Sequence, residues 1–145
     1  MTDEMSLVCP ELLTEEGGRW QLMGNRCAEC KTVFFPAATG CSNCCAREFE
    51  RFPLGSSGTL WSWTIQNFLP KAPYDSGETP ADFQPYGVGY IEMACGIKVE
   101  SRLTLANPER LVIGLPMELQ LLAYRHDAAG KPFYTYAFAP AGAAR

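Results

Sequence analysis

Residues 24–46 read Gly-Asn-Arg-Cys-Ala-Glu-Cys-Lys-Thr-Val-Phe-Phe-Pro-Ala-Ala-Thr-Gly-Cys-Ser-Asn-Cys-Cys-Ala and contain two Cys-x-x-Cys pairs. The first pair is Cys27 and Cys30, the second is Cys41 and Cys44, and ten residues lie between them. Each pair predicts a tight turn that directs two thiolates to one point. Four sulfurs in a closed tetrahedron are the geometry of structural Zn²⁺, whereas a catalytic zinc keeps one position open. The stretch therefore predicts a structural zinc ribbon.

The same motif also occurs in redox-active dithiols, so the spacing has to decide. A thioredoxin-type site places one pair at the start of a helix that follows a strand. Here Val33–Pro36, a short apolar segment typical of a strand, lies between two pairs. We therefore favour zinc, with iron or redox chemistry as the alternatives. The metal is expected to supply folding free energy on the order of 10 kcal/mol to a segment too small to bury enough surface by itself.

The residues around the two pairs complete the predicted ribbon. Arg19–Leu22 and Phe49–Phe52 are candidate strands on either side. Cys45 is placed in the turn just after the second pair, because adjacent cysteines rarely reach one ion. Cys9 and Cys95 lie far from the pairs in sequence, and we interpret them as unligated small hydrophobic residues.

Beyond residue 53 the hydrophobic pattern changes to a period of two, which is typical of strands. We predict a loop or linker at Pro53–Gly58 and then five strands. Trp61, Trp63 and Ile65 are expected to share one face of the first strand. The predicted strands lie at residues 61–66, Val88–Met93, Ile97–Leu105, Met117–Arg125 and Phe133–Phe138.

The connections between these strands favour one architecture. Ala94–Gly96 predicts a hairpin with glycine at positive φ, and Asn107–Gly114 predicts a short helix or a single turn. Five strands with a helical element between the third and fourth are typical of an OB-fold barrel. A small β-sandwich would show a similar periodicity. The predicted fold class is mainly β: a rubredoxin-like zinc ribbon followed by a five-stranded OB-fold barrel.

The predicted organisation divides the chain into four parts. These are an N-terminal segment (1–15), the zinc ribbon (16–53), the OB-fold domain (54–140) and a tail (141–145). Within the barrel, Phe68–Tyr86 is a long loop of Pro, Gly, Asp and Ser interspersed with aromatic residues. It joins the first two strands, a connection that OB-folds commonly use for binding. The alternative is that its rings only cover the end of the barrel.

Composition excludes several function classes. The chain has 145 residues, 47% of them hydrophobic, and a net charge of −4, whereas proteins that bind nucleic-acid phosphates usually have a basic face. No apolar run reaches the ~18 residues of a membrane span. The acidic amino terminus lacks the positive region of a signal peptide. We therefore expect a cytoplasmic protein with neither membrane nor nucleic acid as partner, in which seven cysteines indicate metal rather than disulfides.

The sequence offers no convincing catalytic set. The only histidine, His126, lies in a predicted turn beside Asp127 and is expected to be solvated. With four cysteines assigned to metal, Cys95 and His126 are the one remaining nucleophile–base pair, and nothing in their spacing makes them neighbours. We therefore predict no catalytic residues in this chain.

The motifs together resemble the acyl-CoA-associated zinc-ribbon/OB-fold family known as domain of unknown function thirty-five. In that family a glycine commonly follows each cysteine pair, whereas this chain has Lys31 and Cys45. The resemblance covers roughly residues 16–140. The segments that carry it are Arg26–Cys30, Cys41–Cys44, Gly58–Leu60, Pro85–Val88 and Phe138–Pro140.

The resemblance implies a non-catalytic partner of a thiolase or of an acyl-CoA hydratase. By that resemblance the chain is the small subunit of a hetero-oligomeric thiolase (an acyltransferase) that cleaves a β-ketoacyl-CoA with free CoA. Benzoylsuccinyl-CoA, an intermediate of aromatic-compound degradation, is one such substrate. The nucleophilic cysteine, the base and the oxyanion donors would belong to the large subunit, and acyl-CoA or CoA would lie at the shared interface.

Three modes of action follow from these patterns. An accessory subunit would dock through the aromatic loop and the ribbon, with large rings at the interface; candidate rings are Trp20, Phe34, Phe35, Trp61 and Trp63. A single-stranded nucleic-acid binder would use Lys98 and Arg102, although Glu100 lies between them on the same face. A free-standing acyl-CoA binder would need the basic residues near the ribbon, which are Arg19, Arg26, Lys31, Arg47 and Arg51.

Overall fold

The computed structural model describes residues 5–142, which form nine β-strands and, within that range, no α-helix. One 3₁₀ turn, Pro10–Leu12, precedes the first strand. Residues 1–4 of the predicted N-terminal segment and 143–145 of the predicted tail lie outside the described residues. The strands are β1 (Leu13–Glu16), β2 (Arg19–Cys27), β3 (Val33–Phe34), β4 (Phe49–Gly55), β5 (Ser57–Gln66), β6 (Tyr86–Met93), β7 (Lys98–Leu103), β8 (Pro116–His126) and β9 (Pro132–Pro140).

The first four strands form the ribbon sheet, with β2 at its centre. β1 and β3 pair with successive parts of β2, and β4 pairs with its opposite edge. Gly24 allows β3 to approach, because a Cβ at this position would lie 2.1 Å from the carbonyl oxygen of Phe34. The predicted strands around Arg19–Leu22 and Phe49–Phe52 are confirmed, and both are longer than the sequence pattern indicated.

The other five strands form a closed barrel in the order β5-β6-β7-β9-β8, and β8 pairs back to β5. All pairings are antiparallel except β7 with β9. Closure confirms the OB-fold and excludes the sandwich. The Asn107–Gly114 segment takes the single-turn alternative, since the amides of Arg110 and Leu111 donate to the Asn107 carbonyl at 3.0 and 3.2 Å.

The predicted linker at Pro53–Gly58 is wrong. β4 continues to Gly55 and β5 begins at Ser57, so Ser56 alone separates them. Proline is tolerated in β4 because this strand pairs on one edge only, with β2. Gly55 has φ +89°, which permits an abrupt change of direction that other residues rarely adopt. The proline, glycine and serine residues that predicted a linker therefore mark a sharp corner between the ribbon sheet and the barrel.

The predicted shared face of Trp61, Trp63 and Ile65 is also wrong. Leu60 pairs with Ile91 and Ser62 pairs with Tyr90, which leaves Trp61 unpaired in a β-bulge. A bulge adds one residue to a strand and reverses the inward–outward alternation after it. The inward residues are therefore Leu60, Trp63 and Ile65, and Trp61 is 51% exposed.

One hydrophobic core extends through both parts of the chain. Leu13, Leu22 and Leu54 from the ribbon sheet belong to the same buried cluster as the barrel residues. The barrel contributes Leu60, Ile91, Met93, Val99, Leu103, Leu111, Met117 and Phe138 to it. Ribbon and barrel are therefore packed against each other without an intervening segment.

Candidate metal centre and neighbouring sites

The two cysteine pairs lie in equivalent turns. In the first, the amide of Lys31 donates to the carbonyl of Cys27 at 3.0 Å; in the second, the amide of Cys45 donates to the carbonyl of Cys41 at 2.9 Å. The amide of the first cysteine of each pair also donates to a carbonyl five residues later, at 2.9 and 2.8 Å. Two copies of one backbone arrangement therefore present the thiols to each other.

Each turn ends on a residue in the left-handed region. Lys31 has φ +66° and Cys45 has φ +67°, the only positive φ values of non-glycine residues in the described chain. This conformation is natural for glycine, and for other residues it costs of order 1 kcal/mol. The family that the sequence resembles commonly has glycine at these two positions. The backbone there therefore adopts the conformation typical of glycine, although the residues are Lys31 and Cys45. The prediction that Cys45 occupies the turn after the second pair is confirmed.

The four cysteine sulfurs form a compact cluster. The Sγ atoms of Cys27, Cys30, Cys41 and Cys44 all lie within 4.8 Å of one another. Two contacts, Cys27 with Cys44 and Cys30 with Cys41, are 3.5 Å long. Zinc–sulfur bonds of about 2.3 Å give a tetrahedron whose edges are about 3.8 Å, which matches this spacing. These four thiols fit structural Zn²⁺ in number, element and separation.

The electrostatics of the cluster favour a bound cation. The hydroxyl of Thr32 and the side chain of Asn43 lower the pKa of Cys30 from 9.0 to about 5. At Cys44 a hydrogen bond from the Ala46 backbone favours the thiolate, but the Cys27 thiol, burial and the other sulfurs outweigh it and raise the pKa to about 12. Four thiolates at this distance repel one another, so a bound dication is what allows all of them to ionise.

A side chain that the sequence analysis did not single out positions the second turn. Asn25, 8% exposed in β2, donates from Nδ2 to the Ala38 carbonyl at 2.7 Å and accepts from the Ala38 amide at 3.0 Å. These two hydrogen bonds attach the segment before Cys41 to the central strand. No distinctive signal in the sequence marked it, since β2 also contains the polar residues Arg19, Gln21 and Arg26.

The basic residues near the ribbon are partly neutralised. Arg26 forms an ion pair with Glu50 at 2.8 Å and covers the ring of Phe52, and Lys31 lies 3.7 Å from the same carboxylate. The hydrogen bond and charge of Arg26 hold the pKa of Glu50 below its usual value. Two of the five cations proposed for CoA phosphates are therefore engaged within the protein.

The remaining predicted chemical residues lie apart from the cluster. Cys9 is half-buried beside the 3₁₀ turn, whereas Cys95 is exposed in the β6–β7 hairpin and does not pack as a hydrophobic residue. His126 is the last residue of β8 rather than part of a turn. Met93 and Met117 both pair with Gly58, so the hairpin of Cys95 lies at the start of β8 and His126 at its far end. The topology therefore separates Cys95 from His126.

The predicted aromatic loop joins β5 to β6, as expected. Its ring at Tyr74 stacks on Tyr86 with centroids 6.3 Å apart and packs edge-on against Tyr124 at 5.3 Å. The hydroxyl of Tyr124 accepts a hydrogen bond from the amide of Asp75. The loop is therefore folded onto the barrel wall near the ends of β6 and β8.

Comparisons with known proteins agree with this architecture. A family model described as the rubredoxin-like zinc ribbon domain of ChsH2 matches residues 17–50, and one described as the C-terminal OB-fold domain of ChsH2 matches residues 53–122. The chain is similar to a DUF35 domain-containing scaffold protein of Methanocaldococcus jannaschii, with 29% identity over 127 residues that cover 84% of this chain and 83% of the relative.

Two further relatives carry information about assembly. The benzoylsuccinyl-CoA thiolase subunit BbsA of Thauera aromatica is 30% identical over 131 residues, covering 89% of this chain and 84% of the relative. A solved structure described as an Ltp2-ChsH2(DUF35) aldolase contains a chain that superposes with a TM-score of 0.62 at 25% identity, covering 83% of this chain and 85% of that one.

Proposed function

Because the chain belongs to the DUF35 family of zinc-ribbon/OB-fold proteins, a scaffold family with relatives in thiolase and aldolase assemblies, we propose that it is the non-catalytic small subunit of a heteromeric thiolase. In that role it supports assembly of an enzyme that cleaves a β-ketoacyl-CoA with free CoA. The similarity to BbsA over most of both chains is the observation that carries the proposal. Benzoylsuccinyl-CoA is the first substrate to test.

An exposed apolar surface around the β5 bulge supports a docking role. The amide of Gly114 donates to the Leu60 carbonyl at 2.7 Å, which brings the turn before β8 alongside β5. The exposed side chains on this surface, which we call the bulge surface, are Trp61 (51%), Tyr90 (42%), Val112 (58%) and Ile113 (60%). Clustered large apolar groups of this kind are typical of protein–protein contacts.

The exposure of the aromatic residues changes which of them we expect to contact the large subunit. Of the five aromatic residues first considered, Trp20, Phe35 and Trp63 pack against the hydrophobic core, and Phe34 packs edge-on against Phe49. Trp61 alone is largely exposed. We therefore place the contact with the large subunit at the barrel rather than at the ribbon.

The zinc ribbon acts structurally in this proposal, and the thiolase nucleophile and bases belong to the large subunit. All seven cysteines are free of disulfides, which is typical of proteins in a reducing compartment and supports a cytoplasmic location. Acyl-CoA or CoA would be bound where the two subunits meet.

Co-expression with a thiolase-type large subunit tests the proposal. We expect a stable complex that cleaves benzoylsuccinyl-CoA or a related β-ketoacyl-CoA only when both chains are present. Trp61→Ala should weaken co-purification at least about tenfold, the effect of losing one interface hot spot. Phe68→Ala is the matched control, because Phe68 is 69% exposed but lies in the loop, outside the bulge surface.

Two results would contradict the proposal itself, and a third would contradict the choice of contact surface. One is a chain that stays separate from the large subunit and does not change its turnover. Another is thioester cleavage by this chain without any partner. An equal loss of binding in Trp61→Ala and Phe68→Ala would contradict the bulge surface as the contact.

A further inference from the structure

A cleft of about 480 Å³ lies on the outer face of β6 and β7. Val99 and Leu103 of β7 point into the core, so Glu100 and Arg102 between them point outward into this cleft. Half of the remaining lining residues are tyrosines: Tyr74, Tyr86, Tyr124 and Tyr136. The volume is in the range of about 300–1,000 Å³ that small-molecule sites occupy.

Arg102 is the positive charge of the cleft. Its guanidinium stacks over the Tyr86 ring, 4.0 Å from the centroid, and one terminal nitrogen donates to the Tyr74 hydroxyl at 3.2 Å. The ion pairs formed within residues 5–142 do not include Arg102, although Lys31, Arg26 and Lys98 each have a carboxylate partner. A guanidinium has five N–H donors, so most of its donors remain available for an anion.

We propose that this cleft binds a small aromatic monocarboxylate. The carboxylate pairs with Arg102, whose planar fork matches two carboxylate oxygens. The aromatic ring of the ligand lies against the tyrosines, where apolar and edge-to-face contacts favour a planar group. The site is independent of the zinc centre and does not rest on the thiolase proposal.

Glu100 limits the charge of the ligand. It lines the same cleft, its backbone carbonyl accepts a hydrogen bond from the Tyr136 hydroxyl at 3.0 Å, and its negative charge contributes to the raised pKa of Tyr136. A second anionic group on the ligand would therefore be repelled at this end. The same repulsion disfavours CoA and oligonucleotides, each of which carries several phosphates.

Titration of the full zinc-loaded chain with phenylacetate, followed by two-dimensional amide NMR, tests this inference. We expect saturable shifts confined to residues around the cleft at millimolar ligand. Phenylacetamide has the same shape without charge and should bind at least about tenfold more weakly, equivalent to about 1.4 kcal/mol. Phenylsuccinate, with two carboxylates, should also bind more weakly than phenylacetate.

Two variants distinguish a specific contribution of Arg102 to ligand binding from a general effect of positive charge. Arg102→Gln should weaken phenylacetate binding at least about tenfold. Arg125→Gln is the matched control, because Arg125 also stacks on a ring, 4.5 Å from the Phe133 centroid, but does not line the cleft. This control should bind like the unaltered chain.

Several outcomes would overturn the inference. They are no saturable shifts with phenylacetate, equal binding of phenylacetamide, or equal losses in the two arginine variants. Competition by oligothymidylate with a steep salt dependence would assign the cleft to nucleic acid instead. The phenylacetamide comparison uses the unaltered chain, so it decides the question even if Arg102→Gln fails to fold.

Discussion

Trp61 and Trp63, two residues apart in β5, lie on opposite sides of the barrel wall. Trp61 forms an edge-on contact with Tyr90 at 6.2 Å and carries the Lys98 ammonium 4.9 Å from its ring centroid, whereas Trp63 packs against the core. The unpaired position of Trp61 in the bulge produces this separation. Because the bulge adds one residue to β5, Trp63 packs against the core while Trp61 lies on the surface.

The two tryptophans should differ in their effect on stability. Trp63→Ala is expected to lower the free energy of unfolding by about 3 kcal/mol, the low end of the range for a large ring, because Trp63 packs on the core but is only partly buried. Trp61→Ala should cost less than about 1 kcal/mol, because half of that side chain already contacts water. Urea unfolding followed by circular dichroism measures both. Equal losses would mean that the bulge does not separate the two rings.

Glycine should stabilise the two turns that hold the cysteine pairs, because each turn ends on a residue with a left-handed backbone conformation. Lys31→Gly and Cys45→Gly are each expected to raise the free energy of unfolding by about 0.5–1 kcal/mol, because glycine adopts positive φ without a Cβ clash. The exposed ion pair of Lys31 with Glu50 is worth little and should not mask this gain. Lys31→Ala is the control and should give no gain. Destabilisation by both glycine variants would contradict the strained geometry.

The metal stoichiometry should depend on four cysteines and not on the others. Elemental analysis of the purified chain should show one zinc per molecule. Cys30→Ser and Cys41→Ser should lose most of it, since each removes one of the four clustered sulfurs. Cys9→Ser and Cys95→Ser should keep it. Iron in place of zinc, or zinc loss in the Cys95 variant, would contradict the assignment.

Stability should fall at alkaline pH because of Tyr136. Burial, with a smaller contribution from the Glu100 charge, raises the pKa of the Tyr136 phenol above 10.0. The stabilisation from its protonated form is therefore complete below the unfolded-state pKa near 10 and is lost as pH rises through the folded-state pKa. Urea unfolding between pH 7 and 11 should show this decline.

Tyr136→Phe separates the Tyr136 contribution from other alkaline effects. At pH 7 it should cost about 1 kcal/mol, since the hydrogen bond to the Glu100 carbonyl is removed. Above pH 10 the difference from the unaltered chain should shrink, because the variant has no phenol to ionise at this position. A difference that stays constant up to pH 11 would show that burial of Tyr136 does not affect its ionisation.

Local sequence patterns predicted the metal cluster and the strands because both depend on short-range information. The spacing of the cysteines placed four sulfurs together, and the period-two pattern predicted the five strands that form the barrel. The bulge at Trp61 was not predictable in this way, because it arises from pairing with β6, which is distant in sequence. A single inserted residue reverses a period-two pattern without changing the composition of the strand.

Long-range contacts account for the other features that the sequence did not reveal. Arg102 meets Tyr74 across 28 positions, and Asn25 meets Ala38 across 13. Neither pair has a local signature, since an arginine on a polar face and an asparagine in a strand are each unremarkable alone. The corner at Gly55 looked like a linker because proline, glycine and serine mark turns of any kind.

The corner at Ser56 has a consequence for how the protein responds to loss of its metal. Ser56 is the only residue between the two sheets, and its carbonyl accepts a hydrogen bond from Leu119 of the barrel at 2.7 Å. Chelation would therefore disturb more than the ribbon, because Leu13, Leu22 and Leu54 belong to the same buried cluster as the barrel residues. Any association that depends on an intact barrel would then depend on the zinc supply as well, although the four candidate zinc ligands lie in the ribbon.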